Sequence, residues 1–487
     1  MIKRILGIML LSAIICGQLK AHSGKPKYHV IIDTDGALDD MRSISMFLSG
    51  NDIRILAITC SQGTLLPDSV YVKINSLLLT FHHEGIPVGI AEKINKELPV
   101  WASFAQNIKW GDSVSLMDLN FKNNAADMLN KTVENYRDKI TLVALGSLKT
   151  YADWIRTNPQ IVSKIERIVW YNNLSIENGF NYRVSPESYE FIKQAGIALD
   201  IVENNSDKFL IDEAYLTNIK NTNSVYAKQI GFVHNQSQII ERINQKHLQL
   251  WDDIIPLYLT VPIIFESKTT GNIRYISINK SIPESFIYET IAKLLESATS
   301  TNNRVFNNFP VDSSLYKPKY VKILNSTIKK FGLTEWKAIS MTNEIHGHTG
   351  IYSIIGAKIG IRAMEYFNVG VNNLSVTTFA GSKPPLSCFN DGIQISTGAT
   401  IGQGLITVSD SISIIPSAIF EFNNQKVKIS LKPEIAAKMQ EEIKYGIENY
   451  DLLTEQYWLY IEELAIRYWT SFDRHEIFNF TLVSNNK

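Results

Sequence analysis

The chain has almost no cysteine, no net charge and, after its first few residues, no long apolar run. Three cysteines among 487 residues cannot supply a disulfide framework, so the fold must rest on hydrophobic burial. Only Cys60 and Cys388 would remain if Cys16 left with a leader peptide. Basic and acidic side chains balance at 48 each, leaving no field to steer nucleic acid or an acidic surface, and a nucleic-acid partner is disfavoured. No internal segment approaches the roughly eighteen apolar residues that cross a bilayer, and no Pro-rich or Gly/Ser-rich linker interrupts the sequence.

The composition, 45% hydrophobic and 20% charged, is that of an ordinary globular protein. Its length exceeds what one core sustains, which implies two domains of roughly 200 to 300 residues. The N-terminus carries Lys3 and Arg4, an apolar stretch from Ile5 to Ile15, and a cleavage site after Ala21. This pattern reads as an export signal over residues 1–21, placing the mature chain in the periplasm or cell envelope. Acylation at Cys16 is the alternative, opposed by bulky Ile15 where a small residue is expected.

From Tyr28 onward, β-branched runs (YHVIID, IRILAIT, PVGIA, ITLVAL, RIVWY) alternate with helical stretches at 39–49, from Pro67, at 122–137 and near 148–157. Such alternation predicts βαβ units around a mostly parallel sheet, with ligands at the carboxyl ends of the strands. The pattern weakens between 267 and 316, apart from a helix near 284–297, and a domain boundary falls there. The second part, from about 316, is punctuated by glycine before helices at 432–448 and 453–471.

One strand end is unusual. VIIDTDGALDD places Asp33, Asp35, Asp39 and Asp40 within eight positions, where like carboxylates repel and raise one another's pKa. Asp33 and Asp35 can lean to one side of a strand end, and Asp39 and Asp40 fall at a helix N-terminus. A lone aspartate there would be a helix cap. Four together call for a cation, and an all-oxygen donor set suits Ca²⁺.

These residues resemble the DxDxGxDD signature of the nucleoside hydrolases. ITLVALGSLKT, FNYRVSPES and LWDDIIPLYLTVPIIF resemble that family's later segments in the same order, covering roughly residues 28–300. The resemblance implies an open, mostly parallel α/β sheet flanked by helices and a calcium held by Asp35, Asp40, the Leu145 carbonyl and Asp252. It further implies that Asp35 is the base activating water and that Asp39 and Asn181 hold ribose hydroxyls. The chain departs from the family pattern at Thr64 (Asn), at Trp170, Tyr171 and Asn172 (Met-Gly-Gly), at Gly179 (Glu) and at Trp251 (often His). Trp251 can stack on a flat ligand or simply pack.

In the second half, NEIHGHTG carries His346 and His348, and SCFNDGIQISTGATIGQG carries Cys388, Asp391 and Gln394. Two imidazoles and a thiol can hold zinc or another transition metal, or simply bond to backbone and pack. The region 316–471 resembles the E-type domain of formylmethanofuran dehydrogenase, an α+β domain, with Gly350 and Ala399 where that family has cysteines. The domains expected are thus 28–312 and 316–487. Two functions stand open: an exported calcium-dependent hydrolase of N-glycosidic bonds in a nucleoside-like small molecule, and a metal or metallo-cofactor binding protein on a degenerate hydrolase scaffold. The nucleoside hydrolase resemblance also allows a homo-oligomer.

Overall fold

The computed structural model describes residues 26–112, 123–134, 136–173, 175–204, 209–297, 305–452 and 454–483. The export signal expected over 1–21 lies outside them. The first sheet has nine strands: β1 (Tyr28–Thr34), β2 (Ile53–Cys60), β3 (Val88–Ile90), β4 (Asn123–Asn124), β5 (Ile140–Ala144), β6 (Ile165–Tyr171), β7 (Leu199–Glu203), β8 (Phe265–Thr270) and β9 (Ile273–Ile278). Their order is β4-β3-β2-β1-β5-β6-β7-β9-β8, and every pairing is parallel except β8 with β9. Central strands β2 and β5 are buried along their whole length, as a sheet covered on both faces requires. The predicted α/β architecture is therefore present.

Two differences from the sequence reading concern this sheet. The weak stretch around TTGN is the β8–β9 hairpin, turning at Gly271 with φ of 63°; β8 lies at the sheet edge and is exposed beyond Phe265, so it shows no alternation. The helix expected at 122–137 is the shorter Ala125–Glu134, because Asn123 and Asn124 add a strand.

The second domain has a five-stranded sheet, order β11-β10-β12-β13-β14, from β10 (Ser375–Thr378), β11 (Ile406–Val408), β12 (Ser417–Phe422), β13 (Gln425–Leu431) and β14 (Phe478–Leu482). Helices Pro433–Asn449 and Glu455–Ser471 match their predicted positions. Four helices frame the two candidate sites: α1 (Leu38–Ser49), α2 (Leu333–His346), α3 (Ile351–Phe367) and α4 (Cys388–Thr397). Helices α3 and α4 cross closely: a Cβ on Gly356 would lie 2.1 Å from the Phe389 carbonyl, and one on Gly392 2.1 Å from that of Ser353.

The domains pack directly on each other. Arg362 pairs with Glu84 at 2.7 Å and bonds the His82 carbonyl; His83 Nδ1 meets the Glu365 carbonyl at 2.7 Å; Gly85 donates to the Tyr366 carbonyl. Arg54, near the start of β2, bonds Asn373, and Asn423 bonds the Thr132 carbonyl. Residues 82–86 lead into β3, so the second domain docks at the amino ends of the strands. The aspartate loop stands at the opposite, carboxyl ends.

Candidate active site

Strand β1 runs between β2 and β5, with Asp33 beside Thr59 and Ala144 in register. It ends in a turn through Gly36, whose φ of 78° suits glycine, and the chain then enters α1. Four aspartates are thereby delivered to one end of the sheet.

Asp33 points into the protein. Thr59 and Ser61 donate to its two carboxylate oxygens at 2.5 and 2.7 Å, yet burial still pushes its pKa up to about 7. It is fully buried and ties β1 to β2 through these bonds. Asp40 Oδ1 accepts from Thr34 Oγ1 at 2.6 Å and from the Asp35 N–H at 3.1 Å, which closes the turn and fixes the start of α1. Burial raises Asp40, and it raises Asp39 to about 7, with the Asp40 charge adding to the rise of Asp39. Asp35 and Asp252 rise well above the usual carboxylate range, again by burial first and then by the neighbouring carboxylates. Thr64 opposes the rise at Asp35 by hydrogen-bonding to it.

Asp252 arrives from a turn more than two hundred residues away. It is 2% exposed, and its buried Oδ1 has no hydrogen-bond partner. Carboxylate oxygens of Asp39, Asp40 and Asp252 lie within 4.8 Å of one another. Among the described residues this is the one such group of three side chains with metal-binding chemistry. Asp35 stands beside this group, its Oδ2 against Gly63, where a Cβ would come within 2.1 Å. The Leu145 carbonyl accepts from Asn181 Nδ2 at 2.7 Å, and the same amide nitrogen reaches the Tyr171 carbonyl at 3.0 Å. This leaves the Asn181 amide oxygen to accept from a ligand. Trp251 is half-buried and packs on the core.

The donor set fits calcium. Its atoms are all oxygens, they converge, and an orphaned buried carboxylate oxygen stands where a divalent ion would satisfy it.

Tyr171, one of the positions where the chain departs from the family pattern, ends β6 with its phenol in the field of Asp252, Asp39, Glu203 and Asp253, and burial holds it neutral. Other residues here escape a reading of the sequence. Trp101 directs its indole N–H at Thr64 Oγ1, 3.4 Å away, and meets Phe180 edge to face at 5.0 Å, forming an apolar lip one residue removed from Asp35. Arg42 and Asp253 form a fully buried pair beneath the cluster. An arginine close after the paired aspartates and a doubled aspartate in LWDD were the available signals.

In the second domain, His346 Nδ1 meets Asp391 at 2.8 Å, and the His346 and His348 rings lie 4.3 Å apart. His348 packs edge-on against Trp458. With Cys388, however, the two imidazoles do not form a convergent group of three donors among the described residues.

Residues 345–478 match the family described as FmdE, molybdenum formylmethanofuran dehydrogenase operon. A pyrimidine-specific ribonucleoside hydrolase of Salmonella arizonae is 28% identical over 179 residues, 34% of this chain and 57% of that protein. The chain thus spans a little over half the length of the curated relatives it matches. A purine-preferring ribonucleoside hydrolase from Gardnerella vaginalis is 15% identical with a TM-score of 0.47, covering 55% of this chain and 99% of that one. An inosine-uridine preferring nucleoside hydrolase from Bacillus anthracis is 17% identical with a TM-score of 0.40, covering 55% and 99%. Residues 30–298, more than half of the chain, match the inosine-uridine preferring nucleoside hydrolases, and the chain belongs to that family.

Proposed function

We propose that this chain is an exported, calcium-dependent hydrolase of the N-glycosidic bond in a nucleoside or nucleoside-like small molecule. One observation carries the reading: three carboxylates converge at the carboxyl end of a parallel sheet, Asp40 and Asp252 buried and Asp39 partly so, with an Asp252 oxygen left unpartnered. Without a cation such a cluster is costly.

Asp39, Asp40 and Asp252 would hold the ion, with the Leu145 carbonyl beside them. Bound calcium supplies positive charge that keeps these carboxylates ionised and makes a nearby water more acidic. Asp35 then takes the proton from the attacking water, held in place by Thr64 on one side and Gly63 on the other. Asp39 at the rim and the Asn181 amide oxygen face the sugar hydroxyls, so that the diol is fixed while positive charge develops on the ring. Trp101 and Phe180 present aromatic edges to the rest of the substrate.

A binding role on the same scaffold is the second reading, and Asn172 favours it. All three of its side-chain bonds go to backbone groups, at Asn173, Ile176 and Tyr182, leaving it no group for a leaving base. A ligand gripped between the domains does not suit the geometry, because the domain interface lies at the amino ends of the strands.

The test is ribose release from a panel of purine and pyrimidine ribonucleosides after chelation, with calcium added back. Calcium-restored release supports the hydrolase. Saturable retention of unaltered nucleoside without ribose would establish the binder.

A further inference from the structure

We infer that Arg42 and Asp253 form a positioning pair that sets the spacing of the metal-binding carboxylates, an inference that rests on the metal-site reading above. The three carboxylates come from two distant segments: Asp39 and Asp40 from the first turn of α1, Asp252 from the turn before helix Ile254–Thr260. Arg42 lies one helical turn beyond Asp39, and Asp253 follows Asp252 directly. Each member of the pair is thus a near neighbour of the ligands it serves.

The contacts are those of a clamp. Arg42 Nε and Nη2 donate to the two oxygens of Asp253 at 2.8 and 2.7 Å, and Nη2 also reaches the Gln249 carbonyl at 3.0 Å. Ser43, the next residue of α1, donates to the carbonyl of Asp252 itself at 3.0 Å. Both charged side chains are fully buried. A planar guanidinium bonded twice to a carboxylate fixes angle as well as distance.

The pair acts by geometry more than by charge. Arg42 and Asp253 carry opposite charges and act on Asp39 in opposite senses, so the pair as a whole adds no net charge beside the cluster. Tyr215 and His234, which also lie near Arg42, are kept uncharged by burial. Removing both members therefore leaves the net charge at the site unchanged and loosens the join between its two halves.

The experiment uses the full chain in three forms: unaltered, Arg42→Met with Asp253→Leu, and Arg42→Lys. Each is stripped with chelator and titrated with calcium chloride by calorimetry, and thermal midpoints are recorded with and without the ion. Replacing a buried pair by apolar groups of similar size usually preserves folding. The expected result is a folded double variant whose calcium affinity is lower by about tenfold or more, the usual effect of losing a group that orients metal ligands. Arg42→Lys keeps the charge but loses the fork, and is expected to bind calcium more weakly as well; it decides the matter if the double variant does not fold. Unchanged calcium affinity in a folded variant would reduce the pair to a stability element and overturn the inference. No saturable calcium binding by the unaltered chain would remove the metal reading, and this inference with it.

Discussion

His82 and His475 lie face to face across the domain interface, ring centroids 3.7 Å apart and planes 13° from parallel. Around them stand Arg362 and Glu365 of α3, Glu84, His83, and Arg474 and Asp473 of the segment before β14. Burial pushes His82 and His83 down to about 4. His83 is fixed between the Glu365 carbonyl and the Tyr226 hydroxyl, both at 2.7 Å.

The sign of the resulting pH dependence follows from linkage. Between about 4 and the ordinary histidine value of 6.5, the unfolded chain binds more protons than the folded, docked one, so the docked state gains stability as pH rises. The contribution of these histidines is fully present above pH 6.5 and is lost as pH falls toward 4. For fully buried His83 the window is worth about 3 kcal/mol at about 1.4 kcal/mol per pH unit; solvent-reached His82 contributes less. Thermal unfolding should therefore show one cooperative transition at pH 7.5 and two separated transitions near pH 4.5. A single transition at both values would show that these histidines do not govern docking.

Asp35 and Asp252 are expected to fail differently when altered. Asp35→Asn removes the base while leaving the group of three carboxylates intact, so kcat should fall by roughly 10²- to 10⁴-fold with calcium affinity little changed. Asp252→Asn removes a member of that group, and calcium binding itself should be lost. Steady-state ribose release together with calcium calorimetry on both variants separates the roles, and equal loss of calcium binding in both would make Asp35 a ligand as well.

How far the sequence was legible depends on which physical signal each element leaves. Strands β1, β2 and β5 lie in the middle of a covered sheet and appear as short runs rich in Ile, Val and Leu, and the aspartate loop announces itself by its charge density. Helix α3 did not: HGHTGIYSIIGAKIGIRA reads as glycine-broken, although Gly356 and Gly360 sit inside a buried helix, where the Phe389 carbonyl and Ser396 leave no room for a side chain. Local propensity penalises such glycines, and only the approach of α4 explains them. Arg42 and Asp253 were similarly hidden, because a pair 211 positions apart leaves no local spacing to read.

Zinc is expected to bind the second domain weakly. His346 is turned toward Asp391, and Gly350 stands where the resemblance to the E-type domain implies a cysteine. A Cβ at that position would sit 3.2 Å from His346 Nε2 and 2.7 Å from Ser353 Oγ, so a side chain there would be beside the imidazole once Ser353 turns aside. Gly350→Cys should therefore raise affinity for Co²⁺ and introduce thiolate-to-metal absorption absent from the unaltered chain. Tight, stoichiometric zinc in the unaltered protein would show that His346, His348 and Cys388 converge when the metal arrives.

Gly179 and Asn172 depend on each other. The Asn172 amide oxygen accepts from the Tyr182 N–H at 3.1 Å, its nitrogen bonds the Asn173 and Ile176 carbonyls, and a Cβ on Gly179 would come within 1.9 Å of that oxygen. The asparagine thus closes the loop before Asn181 and occupies the space a side chain at 179 would need. Gly179→Glu alone must displace Asn172 and break bonds to buried backbone groups, at a cost of about 1–3 kcal/mol, read as a lowered thermal midpoint. Combined with Asn172→Gly the glutamate has room, and the double variant should recover part of that loss. It would also place a carboxylate beside Asn181, so a gain in ribose release on common nucleosides is expected from the pair and not from either single change. Equal instability in the single and double variants would show that the two positions are independent.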